Sequence, residues 1–253
     1  MTDFNPFSLE TKTILVTGAS SGIGRETAVI CSRMGATVIL TGRNKKRLDE
    51  TFNKLSGNGH LAHSADLTQE KDILTLVEAC PNLDGIVHCA GIGDRTLLKS
   101  ARESDIERVM KTNFNSPVLL QRALLKNKKV KSGASIVFIA SRAPFAPTIG
   151  NGLYSASKGA IIAYGKVLGL ELASRKIRVN SICPAMVWTE MIERDSTLMG
   201  VNYHEIEKGY PLKRYGLPED VANLAVYLLS DASSWMTGSC IDITGGGEFT
   251  LKA

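Results

Sequence analysis

The sequence predicts an α/β fold: a doubly wound parallel sheet with helices on both faces. Three observations predict it. Short apolar runs rich in β-branched residues alternate with longer stretches of helical period, the signature of βα units in series. The first run opens into a glycine-rich turn that leads directly into a helix. The chain has 253 residues and is 43% hydrophobic, with no internal repeat, low-complexity tract or inter-domain linker. One domain, 1–253, around one core suits those numbers.

Residues 1–12 read as a leader whose Phe4, Phe7 and Leu9 pack on the body. Residues 13–17 are the first buried strand, and Gly18-Ala19-Ser20-Ser21-Gly22-Ile23-Gly24 opens a helix to Met34. Such a turn lets backbone approach a pyrophosphate, while the helix N-terminus offers unpaired N–H groups. The alternative is a tight turn with helix-packing glycines. Residues 37–41 form the second strand. Gly42 and Arg43 follow it, with no acid before Asp49. In dinucleotide folds an acid here binds the ribose 2′-OH of NAD, whereas arginine accommodates the 2′-phosphate of NADP. The sequence therefore favours NADP (NADPH) over NAD. Asn44 is the expected cap of a basic helix. Residues 59–65 are a third, less apolar strand. Asp66-Leu67-Thr68 ends it and starts a helix from about 69 to 80. Asp66 either caps that helix or holds an adenine amino group. Residues 84–89 are the fourth strand, and Cys89-Ala90-Gly91 ends it beside the cofactor.

Helical patterns over 104–112 and 114–129 meet around Asn113, a poor helix former. That predicts a kink, a local cap or a bend that aims a backbone carbonyl into the site. Lys126, Lys128, Lys129 and Lys131 suit a solvated helix C-terminus. Residues 134–140 are the fifth strand. Ser141 stands at its carboxyl end, where open α/β sheets bind ligands. The helix after loop 142–151 carries many small residues, among them Gly159, Gly165 and Gly169, and is expected to lie between the sheet and another subunit. Residues 177–183 are the sixth strand, broken by Pro184. Residues 185–213, with Met186, Trp188, Met191, Met199, Tyr203 and Tyr210, read as a lid or substrate segment; Pro184, Val187 and Thr189 at its start are candidate cofactor-binding residues. Pro218 starts a helix to Ser230. Residues 240–244 are the last strand, followed by Gly245-Gly246-Gly247.

Tyr154 and Lys158 are four apart and so lie on one side of their helix. A free tyrosine has a pKa near ~10; a cation one turn away favours the phenolate and brings it towards the working range of an acid–base catalyst. The net charge of +5 is spread along the chain and does not point to nucleic acid. Five cysteines without paired metal-ligand spacing read as reduced, buried thiols. No signal peptide and no run of ~20 apolar residues is evident, so a cytoplasmic location without membrane association is expected.

T-G-A-S-S-G-I-G at 17–24, C-A-G at 89–91, Asn113, Ser141, Tyr154 with Lys158, and Pro184 with Thr189 occur in the order of the short-chain dehydrogenases/reductases. The chain resembles that family over nearly its whole length, and within it 3-oxoacyl-[acyl-carrier-protein] reductases and similar alcohol dehydrogenases. The resemblance implies a seven-stranded Rossmann-type sheet. It also implies a homotetramer, with the helices near 114–129 and 152–173 at one interface. It implies that Tyr154 is general acid in reduction and general base in oxidation. Lys158 would tune it and hold the nicotinamide ribose. Ser141 would hold the substrate oxygen, and Asn113 would fix a relay water. The implied substrate is a small-molecule ketone or alcohol, or an acyl chain on acyl carrier protein. Lys128, Lys129, Arg175 and Lys176 are candidates for docking that acidic partner. Free apolar or cyclic alcohols and polyols are the alternative substrates; a non-catalytic dinucleotide sensor is a further one. Two departures stand out. The family's N-N-A-G is His88-Cys89-Ala90-Gly91 here, with His88 expected to be a packed strand residue. The usual P-G is Pro184-Ala185.

Overall fold

The computed structural model describes residues 5–190, 192–193 and 202–247; Phe4, Met191 and Met199 lie outside them. Seven strands form one sheet: β1 (Thr13–Thr17), β2 (Thr37–Gly42), β3 (Leu61–Ser64), β4 (Leu83–His88), β5 (Val130–Ile139), β6 (Arg178–Pro184) and β7 (Cys240–Ile243). Their spatial order is β3-β2-β1-β4-β5-β6-β7, and every neighbouring pair is parallel. Helices α1 (Gly22–Arg33), α2 (Lys45–Phe52), α3 (Glu70–Ala79), α4 (Glu103–Met110), α5 (Ser116–Lys126), α6 (Gly152–Glu171), α7 (Tyr203–Glu207) and α8 (Pro218–Leu229) complete the described fold. None of them is long and apolar enough to cross a membrane.

The order reverses between β1 and β4, which opens a crevice beyond their carboxyl ends. The strands are apolar on both sides because both faces are covered. On β5, Ile136 and Phe138 join Leu76, Leu120 and Leu168 in one layer, while Val137 and Ile139 join Ala28, Ala225 and Leu228 in the other. β3 is one of the two edge strands, and its Leu61, Ala62 and Ser64 are exposed. That accounts for its weak apolar signal.

Three elements differ from expectation. β5 begins at Val130 rather than 134, with a register shift against β4 between Leu83 and Gly85. Exposed Lys131, Ser132 and Gly133 conceal the early pairing. The helix break is a π-helical turn over Lys111–Asn115, which carries α4 into α5 without a gap. The segment after Pro184 holds the short helix α7. Its base is closed by backbone bonds from Trp188 to Gly216 and from Gly216 to Met186.

His88 is packed as expected. Its ring stacks on Phe138 at 4.8 Å, and Nε2 meets Gln121 Oε1 at 3.0 Å. Burial drives its pKa from the ordinary 6.5 to about 4, against the opposing pull of the Gln121 bond. Below pH 6.5 the unfolded chain takes up a proton that the folded one refuses until about pH 4. Stability from this residue is therefore full above the upper value and falls with pH through that window, by up to about 3 kcal/mol. Urea midpoints at pH 7 and 4.5 should differ less in His88→Asn than in the parent chain.

Candidate active site

The glycine turn is closed by backbone approach. Thr17 Oγ1 accepts from the amides of Cys89 and Ala90, each at 3.0 Å, and so joins the ends of β1 and β4. Gly18 has φ +66°, and a Cβ there would lie 2.8 Å from Ala90 Cα. A Cβ on Gly24 would lie 2.4 Å from the Gly18 carbonyl oxygen. Ser21 is the N-cap residue of α1, but its side chain makes no capping bond. The first-turn amides therefore keep donors for an anion. Ser20 accepts from Arg25 Nη2 at 2.6 Å, and Ile23 packs on the core. A Cβ on Gly22 would stand 3.2 Å from the Thr189 methyl group. Glu190 follows and pairs with Arg47 of α2 at 2.7 Å. The chain after Pro184 thus reaches across the start of α1 to α2.

Arg43 is exposed just beyond β2, and Asn44 caps α2 by accepting from the Arg47 amide at 3.0 Å. Asp66 takes a turn role: its Oδ1 accepts from the Thr68 amide and hydroxyl at 3.0 and 2.8 Å. Desolvation pushes its carboxyl up, but the Thr68 bonds and the charges of Arg43 and Lys111 outweigh this and hold it below the usual range. Leu67 and Thr68 line a groove of about 510 Å³ together with Met110, Lys111 and Ser116.

The other half of the crevice converges on Lys158. Its side chain is buried, and Nζ donates to the Ile139 carbonyl at 2.8 Å. Nζ lies 5.7 Å from the Tyr154 ring centroid and 3.5 Å from the place a Cβ on Gly91 would occupy. Asn113 is buried beside them. Its Oδ1 accepts from the Ile92 amide at 2.8 Å; its Nδ2 donates to the Ile92 carbonyl and to Ser157 Oγ, both at 3.0 Å. That side chain pins the loop after Gly91 to α6. Ser141 Oγ accepts from the Ala143 amide at 3.1 Å, and Ser155 Oγ donates to the Ala143 carbonyl at 3.1 Å. The end of β5 is thereby hooked to the first turn of α6. The Pro184 carbonyl accepts from the Arg142 amide at 2.9 Å, and Val187 is buried beside Gly216. Burial pushes the Cys89 thiol up to about 12 despite the opposing Lys158 charge.

Thr17, Ile92 and Ser157 support this arrangement, and only Thr17 stands in a motif read from sequence. There it opens T-G-A-S-S-G-I-G, with no role for its hydroxyl. Ser157 passed for one small residue among many, although it adjoins Lys158. Ile92 takes part through its backbone, which leaves no trace in residue type.

Tyr203 and Tyr210 of the segment after Pro184 are buried with Tyr215 in an aromatic cluster, with Met186 and Trp188 against it. Trp188 Nε1 donates to Glu207 Oε2 at 2.7 Å. This bond comes first among the causes that hold the Glu207 carboxyl below its usual range.

A family model described as enoyl-(acyl carrier protein) reductase matches residues 18–248. The chain is 33% identical over 235 residues to a 3-oxoacyl-[acyl-carrier-protein] reductase of Rickettsia felis, covering 93% of this chain and 96% of that one. It is 30% identical over 241 residues to carbonyl reductase family member 4 of Danio rerio, covering 94% and 98%. Among solved structures, a short-chain glucose/ribitol dehydrogenase from Brucella melitensis superposes with TM-score 0.88 at 29% identity, covering 96% and 99%. A putative NAD(P)-dependent gluconate 5-dehydrogenase from Beutenbergia cavernae, with bound NADP, gives 0.83 at 31%, again covering 96% and 99%.

Proposed function

The chain belongs to the short-chain dehydrogenase/reductase family, and on that premise we propose that it is an NADP(H)-dependent reductase of 3-oxoacyl groups carried on acyl carrier protein. The observation that carries the catalytic reading is the buried Lys158 ammonium set between Tyr154, Gly91 and the loop pinned by Asn113. The glycine turn fits a dinucleotide: it closes without side chains and leaves the α1 amides uncapped. Bound there, the nicotinamide supplies or takes the hydride. The chain's own residues do the rest. Tyr154 gives a proton to the carbonyl oxygen in reduction and takes it back in oxidation. Lys158 keeps a positive charge beside that hydroxyl and binds the ribose. Ser141 orients the substrate oxygen. The backbone at the Asn113 bend holds a relay water.

Arg43 supports NADP over NAD, since it stands exposed beyond β2 with no acid beside it in sequence. A charge-assisted bond is worth about 1.5–3 kcal/mol, roughly 10–100-fold in affinity. Arg43→Ala should weaken NADPH binding by that factor and leave NADH unchanged. Fluorescence titration of both dinucleotides checks this; equal affinities in the parent chain would sink the NADP reading.

The carrier-protein reading draws on the relatives and on surface charge. Of its four candidate cations, Lys129 donates to the Cys80 and Glu78 carbonyls at the end of α3, and Arg175 donates to the Val130 carbonyl. Lys128 and Lys176 are the exposed pair left to meet an acidic partner. A free apolar or cyclic alcohol is the second reading, favoured by Met186 and Trp188 at the lid base. Acetoacetyl-carrier-protein assayed beside ketones and secondary alcohols separates the two. We also propose self-association through α5 and α6. Leu119, Val167 and Leu170 stand exposed there, although Gly165 and Gly169 already pack within the chain, on Phe138 and on Gly238. The five free thiols fit a reducing, cytoplasmic compartment.

A further inference from the structure

The outer edge of the sheet, where β7 lies beside β6, gathers two thiols and a carboxylate that the proposed reaction does not use. Cys183 is in register with Asp242, and Ser181 with Cys240. Residues in register, and residues two apart on a strand, share a face. Cys183, Cys240 and Asp242 therefore project to the same side, the one covered by α6, where Cys183 joins Ile161 and Leu168 in the core and Cys240 packs against them. The two sulfurs are 2.9 Å apart, and a carboxylate oxygen of Asp242 completes a trio of atoms all within 4.8 Å of one another. Cys183 is buried, Cys240 half-buried and Asp242 exposed, so the trio opens to solvent at its carboxylate.

A paired thiol suggests a disulfide, but the register opposes one. Cys183 and Cys240 are offset by two positions on adjacent parallel strands. With about 3.3 Å of rise per residue and about 4.8 Å between strands, their Cα atoms lie on the order of 8 Å apart. Bridging beyond about 7 Å requires the backbone to move. A metal ion has no such limit. Bonds of about 2.3 Å to each sulfur in tetrahedral geometry hold the sulfurs roughly 3.7 Å apart, which small side-chain rotations supply.

We propose that Cys183, Cys240 and Asp242 form a site for a thiophilic divalent cation of the zinc class, with water as fourth ligand on the open side. Two thiolates and a carboxylate are a zinc donor set. On binding, two S–H bonds give way to two metal–sulfur bonds, and two protons pass to solvent; no oxidant takes part. The site touches the crevice. Asp242 holds Arg142 Nη1 at 2.6 Å, Arg142 follows Ser141, and the Ser141 backbone amide hydrogen-bonds the Cys183 sulfur. A cation that draws on Asp242 loosens its pair with Arg142, the residue next to Ser141, so it acts as an inhibitor read out at Ser141.

The test uses the whole reduced protein, zinc and a chromophoric chelator as competitor. One zinc per chain is expected. Cys240→Ser should weaken it by more than the ~10–100-fold that loss of an outer-shell partner costs, and Asp242→Asn by at least that range. Cadmium should give thiolate charge-transfer absorption in the parent chain and none in Cys240→Ser. Zinc should slow turnover of the parent chain and leave Cys240→Ser unaffected. Equal zinc affinity in the parent chain and Cys240→Ser would overturn the site. So would failure to bind zinc together with ready formation of a Cys183–Cys240 disulfide under peroxide, seen as a two-hydrogen mass loss. Cys240 is chosen over the fully buried Cys183 because its replacement leaves the core intact.

Discussion

Tyr154→Phe is expected to bind dinucleotide like the parent chain and to turn over any accepted ketone about 10²–10⁴-fold more slowly, the range that a positioned general acid contributes. The substitution removes one oxygen and little else. Lys158 faces the ring of Tyr154 rather than depending on its hydroxyl for placement: Nζ is fixed by the Ile139 carbonyl at 2.8 Å and lies 5.7 Å from the ring centroid. A phenylalanine ring keeps that contact and keeps α6 in place. Dinucleotide fluorescence separates the two quantities, since binding is measured without substrate. Near-normal turnover in Tyr154→Phe would remove Tyr154 from the reaction and leave the buried lysine without an acid to serve.

Gly24→Ala should do comparable damage by another route. The new Cβ would sit 2.4 Å from the Gly18 carbonyl oxygen, 2.7 Å from its carbon and 3.1 Å from the Thr17 carbonyl oxygen. All three are backbone atoms in a turn held from the other side by Ala90, so α1 must move away. Overpacking of this kind costs about 1–3 kcal/mol, or roughly 2–12 °C in melting temperature at this chain length. Dinucleotide at 100 times its Kd should stabilise the parent chain by about 2.7 kcal/mol and the variant much less. Gly152→Ala is the control. Gly152 opens α6, a Cβ there meets nothing within 4 Å, and its melt should match the parent. A dinucleotide-induced shift as large in Gly24→Ala as in the parent would show that the turn is not where the pyrophosphate rests.

Much of this was legible in the sequence because it is carried by residue type at fixed spacing. Strands buried on both faces read as unbroken apolar runs, and β1 was placed to the residue. Glycines that must admit backbone, and a tyrosine one turn from a lysine, are likewise visible as letters. What stayed hidden is carried by pairing rather than identity. The early part of β5 is polar on the outside, so its hydrogen bonds to β4 leave no periodic trace. Asn113 could be seen to interrupt a helix, but not that its side chain would bind both backbone groups of Ile92. Cys183 and Cys240 are 57 residues apart, and only the β6–β7 register brings them together.

The Thr17 clasp also has a consequence for the order in which the molecule is made. The hydroxyl that fixes the glycine turn waits for amides 72 residues downstream. At about 5–20 residues per second a ribosome needs roughly 4–14 s to deliver them. Until then β1 has β2 beside it but lacks β4, and the turn has no Cys89-Ala90 backbone to close on. The nascent chain therefore carries an exposed sheet edge at its centre rather than at its rim. The phosphate cradle, first in sequence, therefore matures only once β4 has been made.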